Sequence, residues 1–80
     1  MSVYPNPAQD ALTVAVNVEQ AGNYTIQLTN MLGRVVVTEQ RDLQKGANNL
    51  LFNIQHLTSG VYLTLFNDGT QVITRKFIKE

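Results

Sequence analysis

The chain has 80 residues, 44% of them apolar and 15% charged, with six Lys and Arg balancing six Asp and Glu. A chain of this length supports one hydrophobic core. The balanced charge provides no basic field for nucleic acid or anionic lipid, and no apolar run approaches the ~20 residues of a membrane-spanning helix. Cysteine is absent, which excludes disulfides, thiol chemistry and Cys-ligated metals. An unstapled domain of this size is expected to hold only about 3–5 kcal/mol of net stability. No charged-then-apolar leader follows Met1, so any export of this stretch is expected to depend on a signal supplied upstream.

The first element is "VYPNPAQD". Pro5 and Pro7 fix φ, remove two backbone donors and push Tyr4 and Asn6 toward extended conformations, which predicts a short edge strand turning into the next. "ALTVAVNV" places Leu12, Val14, Val16 and Val18 on one face and Thr13, Ala15 and Asn17 on the other, the alternation of a half-buried strand. "EQAG" breaks the run, and "NYTIQLTN" alternates again through Tyr24, Ile26 and Leu28. "MLGR" supplies a glycine turn before the β-branched "VVVTEQ". "RDLQKGANN" is polar and reads as a turn, after which Leu50, Phe52 and Ile54 alternate. "QHLTSG" is a short connector with room for one helical turn.

"VYLTLFNDGTQVITRKFIK" is the clearest element. Asp-Gly between two β-rich runs predicts a two-residue type I′ hairpin loop, because that turn needs positive φ at both central residues. This loop would set Phe66 opposite Gln71, Thr64 opposite Ile73 and Gly60 opposite Phe77. Both faces of the hairpin are substantially apolar, so the pattern does not choose which one lines the core. No window carries apolar residues at helical spacing long enough for a helix. Six or seven strands at ~8–12-residue intervals predict an all-β fold, a small antiparallel immunoglobulin- or fibronectin-III-like sandwich. Its core is expected from Leu12, Val14, Val16, Ile26, Leu28, Phe52, Ile54, Tyr62, Phe66 and Phe77.

Catalysis is poorly supplied. His56 is the only histidine and reads as a solvated loop side chain with no second ligand beside it. Asp10, Asp42 and Asp68 fall in three turn-like segments, where Asp is favoured for backbone reasons. The glycines are scattered and form no phosphate loop. Asn23-Tyr24-Thr25 matches the N-glycosylation triplet but reads as a turn asparagine. Tyr4, Tyr24 and Tyr62 could stack on a sugar, yet Trp is absent and the latter two fall in alternating strands where they fill a core. No catalytic residue, metal ligand or cofactor site is expected.

Four stretches together carry a family likeness: "VYPNPAQDALTV", "NMLGRVV", "LTSGVYLTLF" and "TRKFIK". In this order and at these separations the chain resembles the C-terminal sorting domain of the type IX (Por) secretion system of Bacteroidetes, from Val3 to Lys79. Pro5, Asn6 and Pro7 match that family's Pro-Asn-Pro, and Gly33 and Arg34 its Gly-Arg. Leu57, Gly60 and Tyr62 match its Leu-x-x-Gly-x-Tyr, and Lys76, Phe77, Ile78 and Lys79 its basic-apolar-apolar-basic terminus.

The resemblance implies a non-catalytic address on exported cargo. The cargo lies upstream on the same chain, and the partners are the type IX translocon and a sortase-like cysteine peptidase at the outer membrane. The peptidase usually removes the domain and often couples the cargo to lipopolysaccharide. The route would run through the periplasm to the cell surface or medium. Residues 1–80 are then one sorting domain, Met1 and Ser2 being an added start, and Glu80 lies one residue beyond the lysine at which such domains often end. The resemblance also favours Tyr62, Thr64 and Phe66 as the inward face.

It makes Pro5, Asn6, Pro7, Gly60, Tyr62, Lys76, Phe77, Ile78 and Lys79 the expected recognition residues. The terminal segment has a plainer reading too, in which Phe77 and Ile78 close the sandwich while lysines protect an edge strand. A rival function, a carbohydrate-binding or adhesive module of a secreted protein, requires a planar cluster of exposed aromatics.

Overall fold

The alternating runs become strands because each can bury one face and leave the other wet. The computed structural model describes every residue from Met1 to Glu80. It has seven strands: β1 (Ser2–Tyr4), β2 (Ala11–Val18), β3 (Gly22–Asn30), β4 (Val35–Leu43), β5 (Gly46–Asn53), β6 (Gly60–Asn67) and β7 (Val72–Lys79). They form two antiparallel sheets, ordered β1-β2-β5 and β4-β3-β6-β7. In the constant-type immunoglobulin plan the fourth strand stays with the first two. Here β4 has switched sheets to pair with β3, giving the three-plus-four division of a fibronectin-III-like sandwich.

The core lies between the sheets, and all ten residues expected there are buried. It also takes Ala8, Val18, Leu43, Leu50 and Leu57. Burial in β6 falls on Tyr62, Thr64 and Phe66, so the inward face is the one the family resemblance favoured. Two aromatic pairs fill the space behind it: Tyr24 stacks on Phe66 at 5.5 Å and Tyr62 on Phe77 at 5.6 Å between ring centroids.

Four local readings are corrected. The β6–β7 loop has four residues, since Asn67 pairs with Val72, Phe66 with Ile73 and Gly60 with Lys79. A type I′ turn would need positive φ at Asp68, and in this chain only glycines have it. Side chains close the longer loop instead: the Asp68 carboxylate accepts from the Thr70 and Gln71 amides, and the Asn67 side chain accepts from the Gly69 amide, each at 2.8 Å. The register moves by two residues, so every side chain keeps its face.

The stretch "RDL" is the end of β4 rather than a turn, which confines the bend to Gln44 and Lys45. Arg41 holds it there: its guanidinium donates to Glu39 (2.6 Å) and to the Leu51 carbonyl (3.0 Å) and lies over the Phe52 ring, clasping the open edges of β4 and β5 together. Asp42 and Asn23 are cross-strand partners within this sheet, their side chains hydrogen-bonded at 3.0 Å. The connector before β6 makes a single bend closed by the Leu57 amide on the Ile54 carbonyl, too short for a helix. Met1 packs against the core and Ser2 pairs with Ala15.

Candidate functional site

In an antiparallel sandwich, alternate connections emerge at opposite ends, and this rule places the recognition candidates. The β1–β2, β3–β4 and β5–β6 connections and the end of β7 all lie at one end. The β2–β3, β4–β5 and β6–β7 connections lie at the other. Pro5-Asn6-Pro7, Gly33-Arg34, Leu57 to Tyr62 and the last residues of β7 therefore meet at a single pole. Four stretches spread along the whole sequence become neighbours through topology alone.

The Pro-Asn-Pro segment is a clip on β7. Its two X-Pro bonds are cis. Asn6 accepts the Ile78 amide on its side-chain oxygen (2.9 Å), the Ala8 amide donates to the Ile78 carbonyl (2.8 Å), and the Glu80 amide donates to the Ala8 carbonyl (2.8 Å). Ala8 thereby makes a parallel bridge to Lys79. Gln9 adds a side-chain bond to the Glu80 carboxylate at 3.1 Å. These residues carry the chain from the β1 sheet to the β7 edge, and the lower part of that edge is already paired by the chain itself. Strand addition to a free β7 terminus is thus closed from Ile78 onward.

The Leu-x-x-Gly-x-Tyr segment is a corner. Leu57 is buried, Gly60 opens β6, and the Tyr62 hydroxyl donates to the Thr58 carbonyl at 2.6 Å. A tyrosine at the start of the sixth strand that bonds back to the preceding loop is the tyrosine corner of immunoglobulin-like sandwiches. It fixes where β6 starts and sets the Tyr62 ring against Phe77.

The terminal motif is split between faces. Successive strand residues point to opposite sides, so Lys76 and Ile78 face outward while Phe77 and Lys79 face in. Phe77 is fully buried, and Lys79 is only 9% exposed with its ammonium on the Glu80 carbonyl at 2.8 Å. Of the two terminal lysines only Lys76 is displayed, because residues three apart on a strand cannot share a face. The outward part of the motif is Lys76 and Ile78.

The pole also contains what the motif reading passed over. The large apolar side chains exposed on the molecule are Tyr4, Met31, Leu32, Val35, Leu51, Val72 and Ile78, and all but Val72 lie in the half nearer this pole. Met31 and Leu32 form the β3–β4 tip and are 61% and 94% exposed. The available signal was two adjacent apolar residues inside a glycine turn, where polar residues are the rule.

His56 is exposed on the β5–β6 connection, and no three His, Cys, Asp or Glu side chains come together. The opposite pole has an open cleft of about 480 Å³ with a mainly polar lining that includes Asn17, Glu19, Gln20, Asp68 and Gln71. Of the aromatic residues only Tyr4 is among the exposed apolar side chains. The planar aromatic cluster that a sugar-binding module requires is not formed.

The profile of the family described as secretion system C-terminal sorting domain matches residues 2–80. No curated protein and no solved structure matches the chain.

Proposed function

The chain belongs to the C-terminal sorting domain family of type IX secretion, and from that premise we propose that its motif pole is the surface the secretion machinery reads. The domain then acts as a non-catalytic address for a cargo joined ahead of Met1. The cargo passes from the periplasm across the outer membrane, and a sortase-like peptidase cuts upstream and anchors the cargo at the surface. The observation supporting this reading is the convergence of the four motif stretches at one end of the sandwich.

Within that pole the motif residues take different parts. Pro5 to Pro7, Leu57, Gly60, Tyr62, Phe77 and Lys79 hold the surface in shape, and Lys76 and Ile78 present it. β1 runs toward the pole, so a cargo ahead of Met1 approaches from the other direction and leaves the pole open. A partner that reads surface charge gains specificity and on-rate from an exposed cation.

The test is a reporter carrying a Sec signal in front and this domain behind, expressed in a cell with type IX secretion. Wild type is expected outside the cell, and in a translocon-deficient strain it is expected in the periplasm. Lys76→Glu changes an exposed group whose replacement leaves stability within about 0.5 kcal/mol, and it is expected to lower export while the melting temperature holds. Normal export of that variant would remove Lys76 from the recognised surface. Lys79→Glu is a poor probe, since it disturbs a group packed inside the pole.

A further inference from the structure

The β3–β4 tip combines a tightly held backbone with apolar side chains left in solvent, Leu32 almost entirely. The Asn30 side-chain oxygen accepts the Leu32 and Arg34 amides at 3.0 Å each. The Asn30 amide donates to the Arg34 carbonyl, and the Gly33 amide to the Asn30 carbonyl, both at 3.0 Å. Gly33 closes the turn at φ 85°, a conformation that L side chains rarely adopt. What this frame displays is Leu32, 94% exposed, next to Met31. Neither contributes to the core, so the fold does not require an apolar residue at either position.

We infer that Leu32, backed by Met31, is an anchor that enters an apolar socket on a protein partner, with Arg34 meeting a carboxylate at the socket's rim. The inference rests on the reading of the motif pole as the recognised surface and names the side chain that grips. A rigid, protruding apolar group loses little freedom on binding, which is how a small contact gains affinity. Interface energy concentrates in a few central side chains that a pocket dehydrates, arginine prominent among them. Arg34 is exposed beside the tip and has no acidic partner, the molecule's one ion pair being Arg41 with Glu39.

Two other occupants fit less well. A lipid surface would meet Leu32 and Met31 without the pole's other exposed apolar side chains together, since Leu51 and Ile78 stand on the outer faces of opposite sheets, and even a myristoyl chain anchors a protein only marginally. A second copy would have to offer a socket, because a two-fold contact uses the same patch on both sides. The clefts near the opposite pole are lined mainly by polar side chains, and the more apolar one beside Ala11, Leu51 and Phe52 is open to solvent rather than a closed socket.

The experiment uses the reporter fusion with Leu32→Asp and Leu32→Met, together with the purified chain. Leu32→Asp is expected to cut export roughly tenfold or more with an unchanged melting temperature, and Leu32→Met, which keeps the apolar bulk, is expected to retain export. A wild type that is exported with Leu32→Asp exported equally well overturns the anchor alone. A wild type that never leaves the periplasm overturns the reading of the pole and the anchor with it. The purified wild type is also sedimented with vesicles of phosphatidylcholine and phosphatidylglycerol, and alone over a concentration series. No vesicle binding and a monomer throughout support a protein socket. Vesicle binding lost in Leu32→Asp overturns it in favour of lipid, and a dimer lost in Leu32→Asp overturns it in favour of self-association.

Discussion

The two hairpin tips of the larger sheet are built alike and finished differently. Each has an asparagine whose side-chain oxygen accepts backbone amides of the loop, Asn30 at one and Asn67 at the other. Each closes through a glycine in the left-handed region, Gly33 at φ 85° and Gly69 at φ 93°. One displays Met31 and Leu32, and the other Asp68, Thr70 and Gln71. The bend is therefore set by backbone requirements that both tips satisfy, and the side chains at its summit are free to vary. Where a free position carries exposed leucine at the motif pole, partnership is a better account than folding.

The two poles are expected to contribute alike to stability. Phe77 packs near the motif pole and Phe66 toward the other, each fully buried and stacked on a tyrosine. Truncating either to Ala is expected to cost about 3–5 kcal/mol, which is enough to unfold a domain this small. Urea denaturation of both variants checks it. A large loss at one and a small loss at the other would mean that the two ends do not share one core.

The next test bears on the tips themselves. Gly33→Val and Gly69→Val add a side chain where space is open on both sides, so each is expected to cost only the left-handed backbone strain, about 1–2 kcal/mol. Melting temperatures should fall by similar amounts. Export should fall further for Gly33→Val, since that turn aims Leu32. Equal export losses at matched stability would dissolve the distinction between the tips.

The smallest effect sharpens the polar tip. The Gln71 and Thr70 amides hold the Asp68 carboxyl below its ordinary value of 3.8. A folded-state pKa below the unfolded one contributes stability above that unfolded value and loses it as pH falls through the folded pKa. Asp68→Asn is therefore expected to be slightly less stable than wild type near neutrality, with the gap closing in acid below about pH 4. Melting temperatures of the pair across that range check it, and a gap that is flat with pH would mean the carboxylate does not cap the turn. The apolar tip has no carboxylate and should show no such slope in acid.

Much of the fold was legible because strand patterns are local. A period of two declared the faces of β2, β3 and β5, and every residue expected in the core is there. The Leu-x-x-Gly-x-Tyr and terminal motifs were visible as strings, and the Asp-Gly hairpin was visible as a hairpin. Its loop length was not, because Asp68 with ordinary φ shifts the bend onto four residues. Asp42 likewise looked like a turn residue until β4, paired along its length with β3, carried it into the sheet.

By itself the sequence determined that this chain is all-β, which residues alternate, where most bends fall and which family it resembles, because these depend on neighbours a few residues apart. Only the tertiary structure decided that the Tyr62 face is inward, that Lys79 is packed away while Lys76 is displayed, and that Asn6 and Ala8 seal the end of β7. It also brought four distant motifs and the Met31-Leu32 tip to one pole. That convergence follows from strand order and direction, which pair residues as far apart as Ala8 and Lys79. No local pattern encodes such a pairing, because its free energy comes from closing one sheet over the other.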